Sequence, residues 1–87
     1  MSKSNLLITG GCGFIGSNFI NYIFDRTDYN IINLDAMYYC ASENNVKEEI
    51  RNNSRYKLIK GNLCSYDLVR HIINDYQIDY VIHFAAQ

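Results

Sequence analysis

Short, dense apolar runs alternate along this chain with longer segments in which apolar residues return every three or four positions. Asn5 to Thr9 is the first such run, and it has the character of a strand buried inside a parallel sheet. From Phe14 to about Arg26, Ile15, Phe19, Ile20, Ile23 and Phe24 recur at helical spacing and predict a helix with that stripe on the core. Asp25 to Asn30 is polar and predicts the helix exit. Ile31 to Asp35 is a second strand, and it ends on an acid. Residues 36–54 are the least patterned. They hold a loop with Tyr38 and Tyr39, a Ser42 placed to cap a short charged helix containing Val46 and Ile50, and the turn cluster Asn52-Asn53-Ser54. Tyr56 to Lys60 predicts a third strand, stopped by Gly61. Ser65 then caps a helix reaching about Tyr76, with Leu68, Val69, Ile72 and Ile73 as its stripe. Asp79 to Phe84 is the fourth strand.

The join between the first strand and first helix carries the chemistry. Gly10, Gly13 and Gly16 are spaced G-x-x-G-x-x-G there, each with a separate task. Gly10 permits the sharp turn off the strand. Gly13 leaves room for a pyrophosphate to approach the backbone, and Gly16 lets the helix pack closely. The helix start would face the phosphates with unpaired N–H groups and the positive end of its dipole. Asp35 lies about 20 residues beyond this loop at the tip of the next strand, where an acid accepts from the adenosine ribose hydroxyls. An acid there also repels a 2′-phosphate, which favours NAD over NADP. Strand, glycine turn, helix and acid-tipped strand predict an α/β fold. It is the first half of a Rossmann-type, doubly wound parallel sheet with strand order 3-2-1-4.

Composition narrows the partners. The 87 residues hold at most one domain, and a complete doubly wound fold needs a second βαβαβ half. The hydrophobic fraction of 48% argues against disorder. A net charge of -1 gives no electrostatic reason to expect nucleic acid or an anionic membrane. No apolar run approaches the roughly 20 residues that span a bilayer, and none resembles a secretory signal, so a cytoplasmic protein is expected. Cys12, Cys40 and Cys64 lack C-x-x-C spacing and read as free thiols, with no case for a metal. His71, alone on its helix, reads as a surface or packed histidine.

Taken with the glycine loop and Asp35, four further pieces make the chain resemble a known family. They are Asn33-Leu34-Asp35, then Tyr39-Cys40-Ala41-Ser42, then Lys60-Gly61-Asn62-Leu63, and finally His83-Phe84-Ala85-Ala86-Gln87. Together they resemble the N-terminal part of the extended short-chain dehydrogenase/reductases, closest to the nucleotide-sugar 4,6-dehydratases of the dTDP-glucose type. The resemblance covers essentially the whole chain. It implies that Phe14 and Ile15 offer backbone amides near the pyrophosphate, and that Asp35, Ala36, Met37 and Tyr38 surround the adenosine ribose. Asn62 and Leu63 would meet the adenine. Phe84, Ala85, Ala86 and Gln87 would run beside the nicotinamide half. The chain departs from the family at Ala36, where Lys is frequent, and at Asn62, where Asp is usual. An Asn still accepts from the adenine amino group through its carbonyl oxygen.

The resemblance further implies NAD as cofactor, a nucleotide-sugar substrate and a homodimer. In the family, the sugar C4 hydroxyl is oxidised, water leaves across C5 and C6, and the hydride returns to C6. The family's Tyr-x-x-x-Lys pair and Thr-Asp/Glu segment lie further along, and the chain is read as holding no such pair. No catalytic residue is therefore named in the domain portion 1–87. Two alternatives stay open: the same portion of a nucleotide-sugar epimerase or reductase, and a non-catalytic NAD-binding module. Ending directly after the fourth strand would leave an unprotected sheet edge, so the isolated chain is expected to be poorly soluble or oligomeric.

Overall fold

The computed structural model describes residues 4–37, 42–62 and 65–84. Within them, four strands, β1 (Asn5–Thr9), β2 (Asn30–Asp35), β3 (Tyr56–Lys60) and β4 (Tyr80–His83), form one parallel sheet in the order β3-β2-β1-β4. The strand order is the one expected. Three helices connect them: α1 (Phe14–Phe24), the short α2 (Glu48–Arg51) and α3 (Tyr66–Asp75).

The pleat divides the apolar residues between two cores, because successive side chains point to opposite faces. Leu6, Ile8, Ile31 and Tyr56 join Ile20 and Phe24 of α1 and Val46 and Ile50 on one face. Leu7, Ile32 and Leu34 meet Ile72 of α3 on the other. Both faces of β1 and β2 are thus covered, which explains why those strands are nearly all apolar. Full burial of one such side chain stabilises by roughly 1.5–3 kcal/mol.

Several expectations need correction. Ile15 does not face the sheet but is 69% exposed, because it lies on the side of α1 opposite the face that carries its buried residues. The buried positions of α1 are Gly16, Ser17, Ile20 and Phe24. The helix stops at Phe24 rather than near Arg26, where Arg26 and Thr27 turn back to donate to the Ile23 carbonyl. On α3, Ile73 lies at the margin of the stripe and is exposed, while Ile72 is fully buried. Ser65 precedes α3 but makes no side-chain capping bond. The charged segment after Ser42 is two pieces, a 3-10 turn over Glu43–Asn45 and then α2. Val46 sits between them and is buried.

The edge strand β4 presents Tyr80 and Val81 to solvent. A groove of about 350 Å³ runs beside it, lined by Phe19, Ile23, Tyr29 and Ile82 among others. Among the described residues, no helix is long and apolar enough to cross a membrane.

Candidate functional site

Register brings the C-terminal ends of the four strands level. Thr9 lies opposite Leu34 on one side and His83 on the other, and Asp35 lies opposite Lys60. The glycine loop leaves β1 at this edge. Gly10 adopts φ 74°, the left-handed region that glycine enters without steric cost. A Cβ on Gly16 would strike the Gly10 carbonyl oxygen and approach Gly11 Cα to 2.9 Å, so the helix start rests directly on the loop backbone. A Cβ on Gly13 would meet only the Gly10 oxygen at 3.5 Å, an ordinary contact. Gly16 is therefore required by packing. Gly13 is not, and its bareness leaves the outer side of the loop open.

Gly13 is the N-cap of α1 and offers no side-chain cap, and the first turn holds no acid. The first helical bond runs from Ser17 N to Gly13 O at 3.0 Å. The amides of Phe14, Ile15 and Gly16 precede it and have no intrahelical acceptor, which makes the helix start receptive to an anion. Phe14 is 79% exposed, so it and Ile15 present backbone here while their rings and methyls stand in solvent.

Asp35 is buried at the tip of β2. Its Oδ2 accepts from the Cys12 amide at 2.8 Å, and its Oδ1 accepts from the Met37 amide at 2.7 Å. A carboxylate offers about four lone-pair directions, so two backbone bonds fix it and still leave acceptor capacity. Met37 holds φ 60°, unusual for a residue with a side chain, as part of the turn that closes on Asp35. Ala36 is half-buried beside it. The Cys12 carbonyl accepts from Ser42 N at 3.0 Å and from Asn45 Nδ2 at 2.8 Å. The loop is thereby clamped from both sides.

Cys12 is fully buried. Burial, reinforced by the Asp35 charge, pushes its thiol up to about 11, so it is an inert packed cysteine, as expected. Cys40 and Cys64 lie outside the described residues, as do Tyr38, Leu63, Ala85, Ala86 and Gln87 of the expected cofactor contacts. Asn62 is exposed just beyond β3. Phe84 packs its ring on Phe19, with centroids 5.3 Å apart, so it turns toward the core rather than the strand edge. His71 lies on the surface and pairs with Asp75 at 2.9 Å. Among the described residues, no cluster of three or more His, Cys, Asp or Glu side chains is placed to hold a metal.

One tyrosine does have a lysine four residues on, Tyr56 and Lys60, which corrects the expectation that no such pair exists. The pair lies on a strand, where four residues span about 13 Å rather than one helical turn. Tyr56 accepts from Asn33 inside the core, and Lys60 reaches Glu43 at 3.2 Å on the surface. It is not an acid–base pair.

Three features were not anticipated from the sequence. Asn33, fully buried in β2, accepts from Gly11 N and donates to Tyr56 and Cys12. Gly11 is tightly enclosed, since a Cβ there would strike Asn33 and Ile20. Thr9 Oγ1 lies 2.6 Å from His83 Nδ1, tying β1 to β4 at the site edge. An Asn amid an apolar strand was the available signal for the first.

The family model described as GDP-mannose 4,6 dehydratase matches residues 7–87. The chain belongs to that family. It is similar to human dTDP-D-glucose 4,6-dehydratase, 46% identical over 83 residues, covering 94% of this chain and 23% of that protein. It is similar in structure to a Bacillus anthracis dTDP-glucose 4,6-dehydratase solved in complex with NAD. The TM-score is 0.91 at 40% identity, over 97% of this chain and 27% of that one. A UDP-glucose 4-epimerase from Bifidobacterium longum, solved with NAD+ and UDP, matches at TM-score 0.82 and 27% identity, over 97% of this chain and 25% of that one. The chain thus spans about a quarter of the length of these relatives.

Proposed function

We propose that this chain is the NAD-binding N-terminal portion of a nucleotide-sugar 4,6-dehydratase acting on a dTDP-glucose type of substrate. The observation that carries the reading is the Asp35 carboxylate, bonded to the glycine loop through Cys12 N at 2.8 Å with acceptor capacity to spare. The residues fit a dinucleotide. The open side of Gly13 and the uncapped start of α1 suit a pyrophosphate. Asp35, with Ala36, Met37 and Tyr38 after it, suits the adenosine ribose. Asn62 and Leu63 are assigned to the adenine, and the segment from Phe84 to Gln87 to the nicotinamide half, with the Phe84 ring itself turned away onto Phe19.

NAD supplies the hydride chemistry when bound, and the protein supplies orientation. In this portion Phe14 and Ile15 would donate backbone amides to phosphate, and Asp35 would accept from ribose hydroxyls. The acid–base residues belong to chain outside this portion, as does the substrate-binding domain. A homodimer and a cytoplasmic location belong to the same reading. The net charge of -1 supports partners other than nucleic acid. The epimerase alternative shares the fold, but the dehydratases match at distinctly higher identity.

The test is titration of the full-length protein with NAD, alongside an Asp35→Ala variant. The substitution is expected to weaken NAD binding by about 1–3 kcal/mol, the cost of unpaired buried polar groups. An unchanged dissociation constant would mean that Asp35 has no part in binding. Incubation with dTDP-glucose should yield a product lighter by one water. A product of unchanged mass would favour the epimerase.

A further inference from the structure

Three consecutive amides of the glycine loop donate to three consecutive residues of β2. Gly10 N reaches Leu34 O at 2.9 Å, Gly11 N reaches Asn33 Oδ1 at 2.9 Å, and Cys12 N reaches Asp35 Oδ2 at 2.8 Å. The first bond uses strand backbone and would form with any side chain. The third uses the acid already assigned to ribose. The middle bond depends wholly on Asn33.

Asn33 is 0% exposed in the interior of β2, with Ile32 and Leu34 as neighbours in sequence and Ile8 and Leu58 opposite it across the sheet. A carboxamide in such a place is costly unless every polar atom is paired. Here every one is. Gly11 N is an obligate donor, so the oxygen of the carboxamide must face it. Nδ2 then has two hydrogens and two acceptors, the Tyr56 hydroxyl at 3.0 Å and Cys12 Sγ at 3.5 Å. A flipped amide would set donor against donor at Gly11. The fit is steric as well, because Asn33 fills the space that a side chain on Gly11 would need.

We infer that Asn33 is a cofactor-positioning residue, held by Tyr56, that fixes the Gly11 peptide so that the following amides face the pyrophosphate. This rests on the dinucleotide reading above. Asn33 acts through the loop and touches no ligand itself. Its influence falls on the phosphates and not on the ribose, which Asp35 addresses from the next outward position of the same strand face.

The experiment measures binding of NAD, ADP-ribose and adenosine to the full-length protein and to its Asn33→Leu and Tyr56→Phe variants, with thermal melts in parallel. Asn33→Leu removes the acceptor at similar size. It is expected to weaken NAD and ADP-ribose about tenfold and leave adenosine within about twofold. Tyr56→Phe loosens the carboxamide and is expected to cost NAD and ADP-ribose about threefold, again sparing adenosine. A folded Asn33→Leu protein with unchanged NAD affinity would overturn the inference. So would equal losses for all three ligands, which would report general loosening. If Asn33→Leu does not fold, Tyr56→Phe decides by the same criteria. An unmodified protein that binds no NAD would overturn the dinucleotide reading itself, and this inference with it.

Discussion

The Arg55 guanidinium lies 3.9 Å above the centroid of the Phe24 ring and donates to the Phe24 carbonyl at 2.9 Å. The same side chain donates to Thr27 O at 3.1 Å and Tyr29 O at 2.8 Å. One residue before β3 thereby collects the carbonyls at the end of α1 and the turn that follows. The Phe24 carbonyl lies at the negative end of the α1 dipole, where a cation is favoured. The contact also ties α1 to β3 across β2, at the end of the sheet opposite the glycine loop.

Arg55→Ala should destabilise the protein by about 2–3 kcal/mol, since three hydrogen bonds and a ring contact disappear together. Arg55→Lys should recover only part of this, because an ammonium lacks the planar fork that reaches several carbonyls at once. NAD affinity of the folded variants should stay close to wild type. Urea melts of the full-length protein provide the check. A loss for Arg55→Ala below about 0.5 kcal/mol, as at an ordinary surface position, would contradict the bracing role.

The two later glycines of the loop should separate binding from folding. Gly13→Ala adds a Cβ with only an ordinary 3.5 Å contact, so its melting temperature should hold near wild type while NAD binding falls. Gly16→Ala forces its Cβ into Gly10 and Gly11 backbone, which cannot swing aside as a side chain can. It should lose stability by about 1–3 kcal/mol, the usual range for overpacking, and NAD affinity with it. Paired melting and titration measurements decide the matter. Equal melting losses for the two variants would mean that Gly13 is structural as well.

Local pattern was enough for what depends on local pattern. The bounds of β1 and β3, the Phe14 start of α1 and the strand order follow from apolar spacing and from the glycine loop with its acid-tipped strand. The errors have a common origin. Ile15 and Ile73 are apolar and lie on helices, but each stands beside a buried neighbour, Gly16 and Ile72, and is turned about 100° away from it around the helix. Apolar spacing alone does not reveal how wide the covered face is. Of the site, the loop glycines and Asp35 were legible because each has a fixed place in the strand–turn–helix unit. Asn33 and Tyr56 were not. Their meeting depends on the register of β2 with β3 and on a loop folding back over both, a relation set by tertiary structure.

That buried network should also set how the protein responds to alkali. Burial pushes the Cys12 thiol from 9.0 up to about 11, and the Tyr56 phenol from 10.0 up to about 12. Both groups are neutral when protonated, and both hold their protons more tightly in the folded protein than in the unfolded chain. Their stabilising contribution is therefore complete below about pH 9 and is lost as pH rises toward 12. Unfolding stability measured in urea should accordingly fall over this range. Replacing Cys12 by Ser should flatten the fall between about 9 and 11, and Tyr56→Phe should flatten it between about 10 and 12. The comparison with each variant isolates the contribution of that one group from the rest of the pH dependence. Curves for the variants that run parallel to wild type would mean that water reaches the thiol and the phenol. The carboxamide of Asn33 would then have water to bond with in place of Tyr56, and its orientation would no longer be fixed by the core.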